Sequence, residues 1–184
     1  DAGETPPVYL SANIPGGEFF SLDVGLGPFI NIVLLSGKAG STAQILGQGF
    51  TGTTSVKFNG VAATFTVVSD TYLTAKVPTT ASTGIVTVVT PAKTLTSYRT
   101  FKVTPAITAI SPLSGKVNAM VTITGSGLIG AGKITFGGVA ATAFKVDSGT
   151  QITAAVPAGA KTGKVVVTTA GGAATSAATF TVTP

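Results

Sequence analysis

One segment occurs twice, and no other feature constrains the fold of this chain as much. SVKFNGVAATFTVVSDTYLTAKVP runs from Ser55 to Pro78, and KITFGGVAATAFKVDSGTQITAAVP runs from Lys133 to Pro157. Each copy reads as a strand, a two-residue turn (Asn59-Gly60, then Gly137-Gly138), a Val-Ala-Ala-Thr return strand and a third strand ending in Val-Pro. Asn-Gly takes the positive φ angles of a type I′ turn, so each pair is expected to close a hairpin.

The register extends well beyond these segments. Ser36/Ser114, Gly47/Gly125, Phe58/Phe136 and Gly60/Gly138 are 78 apart, whereas Pro78/Pro157, Gly84/Gly163, Phe101/Phe180 and Val103/Val182 are 79 apart. One residue is therefore inserted near Ala143, and a bulge or turn must absorb it to keep side chains on their faces. Phe144 then takes the place of Phe65.

In the first copy, strands are expected at Phe29–Leu34, Thr42–Leu46, Ser55–Phe58, Val61–Val68, Tyr72–Val77, Gly84–Val89 and Tyr98–Val103, with a turn at Ser36-Gly37-Lys38. Short strands at regular spacing, Gly/Pro/Asn turns and no helical period predict an all-β chain of antiparallel sandwiches. The expected division is an arm over 1–28, a first domain over 29–105 and a second over 106–184. Val103-Thr104-Pro105-Ala106-Ile107 leaves almost no linker, which predicts a stiff tandem rod.

The arm matches neither copy. Asp1–Pro7 reads as extended and polar. Phe20, Leu22, Val24 and Leu26 alternate with Ser21, Asp23, Gly25 and Gly27, the period-2 pattern of a half-buried strand. Since each copy has its own strand set, 20–26 is expected to pair with the first domain's edge, a preceding domain or another molecule.

The motifs Ile110-Ser-Pro-Leu-Ser-Gly115, Val121-Thr-Ile-Thr-Gly-Ser-Gly127, Ile134-Thr-Phe-Gly-Gly138, Ile152-Thr-Ala-Ala-Val-Pro157 and Gly163-Lys-Val-Val-Val167 resemble the IPT/TIG family of immunoglobulin-like domains. The first copy carries the same series, with Leu34-Leu35 where the second has Pro112-Leu113. The resemblance covers about 155 of 184 residues, from Phe29 onward. It implies two tandem early-set immunoglobulin-like β-sandwiches, modules that serve as spacers or contact surfaces in bacterial surface proteins, carbohydrate-active enzymes, receptors and transcription factors. It implies no catalytic residue. The GEFFSLDVGLGP stretch also resembles the last strand of a repeat that precedes such domains in large secreted bacterial proteins.

Chemistry is hard to find in this composition. There is no His and no Cys, so a nucleophilic triad in its usual form and a soft or imidazole zinc site lack their parts. The six acids, Asp1, Glu4, Glu18, Asp23, Asp70 and Asp147, are dispersed; Asp70 and Asp147 fall near corresponding turns and read as turn-stabilising residues. Neither a metal nor a cofactor is expected. Gly47-Gln-Gly49 and Gly125-Ser-Gly127 open no helix and so make no phosphate loop; positive φ between strands is the expected role. Phe58/Phe136 and Phe101/Phe180 recur at matching strand positions and read as core. Tyr9, Tyr72 and Tyr98 are the candidates for exposed aromatic contact. The charge of +5 comes from singly placed lysines and Arg99, without the stripe that nucleic-acid binding needs. No apolar run reaches the length of a membrane span.

Charged residues make up only 9% of the chain, so little charge repulsion keeps copies apart. The expectation is a non-enzymatic extracellular or bacterial cell-surface protein with structural or adhesive duties. It would self-associate or contact surface proteins or polysaccharide. In its sharpest form it is a filament subunit linked by the strand Phe20, Leu22, Val24 and Leu26, added to a neighbour's sheet edge. The alternative is a carbohydrate-binding or spacer module of a larger secreted polysaccharide-active enzyme, which an exposed row of aromatics on one sheet would favour.

Overall fold

The computed structural model describes residues 27–32 and 34–184. The strand predicted at 20–26, with Phe20, Leu22, Val24 and Leu26, lies outside the described residues, as does Tyr9.

The described residues form nineteen strands. The first ten are β1 (Phe29–Ile32), β2 (Ser36–Lys38), β3 (Thr42–Gln48), β4 (Ser55–Phe58), β5 (Val61–Ala63), β6 (Phe65–Ser69), β7 (Tyr72–Lys76), β8 (Val86–Val89), β9 (Thr94–Thr96) and β10 (Lys102–Thr104). One sheet has the order β1-β3-β7-β6, the facing one β5-β4-β8-β9, and β10 pairs in parallel with β2. The alternation dictated by the pleat sends Ile30, Ile32, Ala43, Ile45, Leu73 and Ala75 inward from the first sheet. Val56, Phe58, Val86 and Val88 come from the second, and together they make one buried core.

The second set is β11 (Ala106–Ser111), β12 (Ser114–Gly115), β13 (Met120–Ser126), β14 (Lys133–Phe136), β15 (Val139–Ala140), β16 (Phe144–Ser148), β17 (Gln151–Ala155), β18 (Gly163–Thr169) and β19 (Gly172–Val182). Its sheets run β11-β13-β17-β16 and β12-β19-β18-β14-β15, around a separate core that includes Val121, Ile123, Ile134, Phe136, Ile152 and Phe180. Phe58 meets Phe101 edge-on at 5.0 Å between ring centroids, and Phe136 meets Phe180 in the same way at 5.2 Å. Such pairs add about 0.5–1.5 kcal/mol beyond the burial of the rings.

The structure corrects three sequence expectations. Val61–Val68 is two strands in different sheets: β5 pairs with β4, the chain crosses at Thr64, and β6 pairs with β7. The inserted residue of the second domain falls in this crossing, between β15 and β16, so no strand changes face. Phe65 pairs across to Ala75 and Phe144 to Ala154, the same register. Ser36–Lys38 is a strand, with Ser36 opposite Lys102 and Lys38 opposite Thr104. Gly47 and Gly125 lie within strands, where a Cβ would overlap the carbonyl oxygens of Phe29 and Ala106; only Gly49 and Gly127 of those four have positive φ.

Candidate functional site

Asn59-Gly60 and Gly137-Gly138 close the two hairpins, as their sequences predict. Asn59 and Gly60 take φ of 44° and 84° between β4 and β5, and Gly137 and Gly138 take 55° and 91° between β14 and β15. Asn59 also acts as a latch: its Nδ2 donates to Ser82 Oγ at 2.7 Å and to the Thr83 carbonyl at 3.3 Å. At Gly137 the Lys161 carbonyl occupies the space a side chain would need. These turns organise the fold.

The two acids prove dissimilar. Asp70 lies in the turn between β6 and β7 and ties down the loop after β3. Its carboxylate accepts from Thr51 Oγ1 (2.6 Å), Thr51 N (3.0 Å) and Gly49 N (3.0 Å), and these bonds, the Thr51 hydroxyl foremost, hold its pKa below the ordinary value. Asp147 is not in the corresponding turn but within β16, where it accepts from Thr153 Oγ1 at 2.6 Å and pairs with Lys145 at 3.3 Å. The Thr153 bond, then Lys145, lowers its pKa. The residue that matches Asp70 is Gly149. Among the described residues no three His, Cys, Asp or Glu side chains converge as metal ligands would. No helix of the described residues is long and apolar enough to cross a membrane.

Gly149 belongs to a seam between the domains. A Cβ there would stand 2.6 Å from Thr80 Cα, and one on Gly171 would overlap the Val103 carbonyl oxygen. Gly127 N donates to the Thr79 carbonyl at 3.2 Å, and a Cβ on Gly127 would lie 3.1 Å from Val103 Cγ1. The second domain thus meets the first backbone to backbone, at three points where its own chain has no side chain.

Among the described residues the most exposed aromatic lies on the first domain. Ser97, only 5% exposed, accepts from Val86 N at 2.9 Å and donates to the Arg99 carbonyl at 2.8 Å. This hydroxyl bridge holds the chain in an outward loop between β9 and Phe101, and Tyr98 at its crest is 94% exposed. Three recesses meet at Tyr98. One of about 80 Å³ is lined by Ile30, Asn31, Ile32, Leu35, Ser97 and Arg99. Two open troughs carry Phe29 and Lys93 on one side and Leu35, Arg99 and Lys102 on the other. The recess of 80 Å³ is far below the ~300–1,000 Å³ of a ligand-enclosing pocket, and the troughs, of about 320 and 620 Å³, are open to solvent, so anything bound here lies on the surface.

A line of side chains continues from Tyr98 across the outer face of the first sheet. Tyr98 shares its recess with Asn31; Asn31 pairs with Leu46 and Leu46 with Tyr72. Asn31, Leu46 and Tyr72 alternate with the buried residues of their strands, and Leu46 is 45% exposed. Tyr72 is half-buried. The second domain repeats the bridge: Ser176, 3% exposed, accepts from Val165 N at 3.0 Å and donates to the Ala178 carbonyl at 2.7 Å. Its crest, however, is Ala177-Ala178, and Ala109, Thr124 and Gln151 occupy the rest of the line. Sequence reasoning named Tyr72 and Tyr98 as separate tyrosines and foresaw the positive φ of Gly127, but missed Asn31, Leu46, Arg99, Gly149, Gly171 and the seam itself. A position-by-position subtraction of the two copies would have flagged Tyr98-Arg99 against Ala177-Ala178.

The IPT/TIG domain family matches residues 28–103 and 105–182, and the chain belongs to that family. No curated protein matches it. Among solved structures it is similar to the surface glycan-binding protein PbSGBP-B from Prevotella bryantii, at 22% identity and a TM-score of 0.51, covering 80% of this chain and 38% of that one. It is also similar to SGBP-B from a complex xyloglucan utilization locus in Bacteroides uniformis, at 19% identity and a TM-score of 0.41, covering 85% and 50%. A third is SGBP-B of the Bacteroides ovatus mixed-linkage glucan utilization locus, in complex with a mixed-linkage heptasaccharide, at 23% identity and a TM-score of 0.37, covering 85% and 45%. The chain thus spans half or less of the length of these proteins.

Proposed function

We propose that this chain is a non-catalytic spacer: the tandem that sets apart the working parts of an extracellular or surface-exposed bacterial protein that handles polysaccharide. The observation that carries the reading is the seam. Inter-domain contacts within a chain are ordinarily polar and permissive of motion, whereas here Thr79, Thr80 and Val103 press on Gly127, Gly149 and Gly171 with backbone against backbone. A joint of that kind fixes a direction. The fold likeness to a surface glycan-binding protein supports the polysaccharide setting over a filament. The filament reading depends on Phe20, Leu22, Val24 and Leu26, and nothing among the described residues supports it.

Residual dipolar couplings test the spacer. One alignment tensor should describe both domains of the full chain, and Gly171→Val, which places a side chain against Val103, should split it into two. Two independent tensors in the unaltered chain would overturn the reading.

A further inference from the structure

The line Tyr98–Asn31–Leu46–Tyr72 goes beyond what a spacer requires. From β1 to β7 it crosses two strand spacings, about 10 Å, and Tyr98 extends it past the sheet edge. It presents two aromatic rings, an amide and an aliphatic side chain. The second domain, built on the same plan and the same serine bridge, has Ala177, Ala109, Thr124 and Gln151 in those places. A fold that needs only a bridge and alternating strands makes do with alanine and threonine there. The first domain carries bulk there that the shared scaffold does not require.

The charge around Tyr98 says what would rest on it. Lys93 flanks one trough and Arg99 with Lys102 the other, and among the described residues no carboxylate lines any of the three recesses. Among the described residues none of these cations forms an ion pair; the one ion pair is Lys145–Asp147. Asp70 and Asp147 are the only acids among the described residues, against all eleven basic side chains. Asp70, the nearer in sequence to this line, is already engaged by the 49–51 loop.

We propose that this line is a binding site for an anionic polysaccharide, a chain of pyranose rings bearing carboxylate or sulfate groups. The apolar face of one sugar lies on the Tyr98 ring, where positively polarised C–H groups meet the negative face of the π-system. Its acidic group is taken by Arg99, whose guanidinium forks onto a carboxylate or sulfate, with Lys93 or Lys102 adding charge. The chain then runs across the strands over Leu46 to Tyr72, and the Asn31 amide bonds a ring hydroxyl on the way. The site is open, so it holds an interior stretch of a polymer and has no need of a chain end.

Affinity electrophoresis of the full chain through gels containing polygalacturonate, with xyloglucan as the neutral probe, tests this. Polygalacturonate should retard the protein, and salt should weaken the retardation, because the charged contacts are exposed and screened. Tyr98→Ala and Arg99→Ala, both at exposed positions, should each weaken binding by about tenfold. Lys133→Ala removes the same charge from the second domain and should leave binding unchanged. Tyr72→Ala should weaken it too, with Tyr98→Ala carrying the test if Tyr72→Ala does not fold. Absence of retardation, equal losses in Lys133→Ala and Arg99→Ala, binding untouched by Tyr98→Ala, or retardation by xyloglucan alone would each overturn the assignment. The spacer reading stands or falls separately, on the alignment tensors.

Discussion

The two domains carry the same clamp and differ in what it holds up. Ser97 and Ser176 make the same pair of bonds, to a valine N–H and to the carbonyl two residues on, yet one loop presents Tyr98-Arg99 and the other Ala177-Ala178. The contrast recurs at the end of each sandwich where the chain enters. In the first domain Asp70 reaches back to Gly49 and Thr51 and braces its own loop. In the second, Gly149 takes that position because Thr80 of the first domain stands where a carboxylate would have to go. Duplicated scaffolds diverge where they meet something outside themselves. At the seam the second domain has Gly149 and Gly171 where the first has Asp70 and Ala92, and along one sheet face the first carries bulk that the second lacks.

Three perturbations test how far the two domains differ. The largest effect is expected from Phe180→Ala, which removes one ring of the edge-to-face pair in the second core and should cost about 3–5 kcal/mol. All three tyrosines lie in the first 98 residues, so tyrosine fluorescence reports no residue of the second domain. In urea, the far-UV circular dichroism transition should shift and separate from the fluorescence transition. A fluorescence midpoint that falls by the same amount would mean the seam makes the two cores one cooperative unit.

A smaller loss is expected from Ser97→Ala and from Ser176→Ala. Each leaves a buried valine N–H without its acceptor, a cost of about 1–3 kcal/mol. If the clamp is a shared part of the scaffold, the two variants should lose equal stability by chemical denaturation. A much larger loss for Ser97 would mean that the aromatic crest itself helps hold the first domain together.

The smallest effect belongs to Asp70→Asn. Hydrogen bonds from Thr51 and Gly49 hold the folded-state pKa of Asp70 below its unfolded value. Its contribution is therefore complete above about pH 4 and is lost as pH falls through the lower, folded-state value. Asp70→Asn should flatten the acid limb of the fluorescence-monitored urea midpoint below about pH 4. An unchanged acid limb would show that the Asp70 bonds are not maintained in solution.

Much of the plan was legible because it rests on short-range rules. A recurring segment, offsets of 78 and 79, alternating apolar residues and the matched Phe58/Phe136 and Phe101/Phe180 positions follow from what each stretch must bury, and the second copy served as a check on the first. What was misread involves partners distant in sequence. Val61–Val68 looked continuous because nothing local marks the crossing at Thr64. Ser36-Gly37-Lys38 has turn composition and became a strand because Lys102–Thr104 lies alongside it. Asp147 is the exception, a local misreading: the 79-residue offset beyond Ala143 already sets it opposite Val68, and its partner Thr153 lies in the neighbouring strand of the same hairpin.

The site shows the same division. Sequence alone set the residue types: two tyrosines, one arginine, an amide and a leucine, with no histidine or cysteine to support other chemistry. Only the tertiary structure put Tyr98, Asn31, Leu46 and Tyr72 in one line, since they come from three strands and a loop whose order in space differs from their order in the chain. Only it made Gly149 and Gly171 necessary, because the atoms that exclude their side chains belong to the other domain.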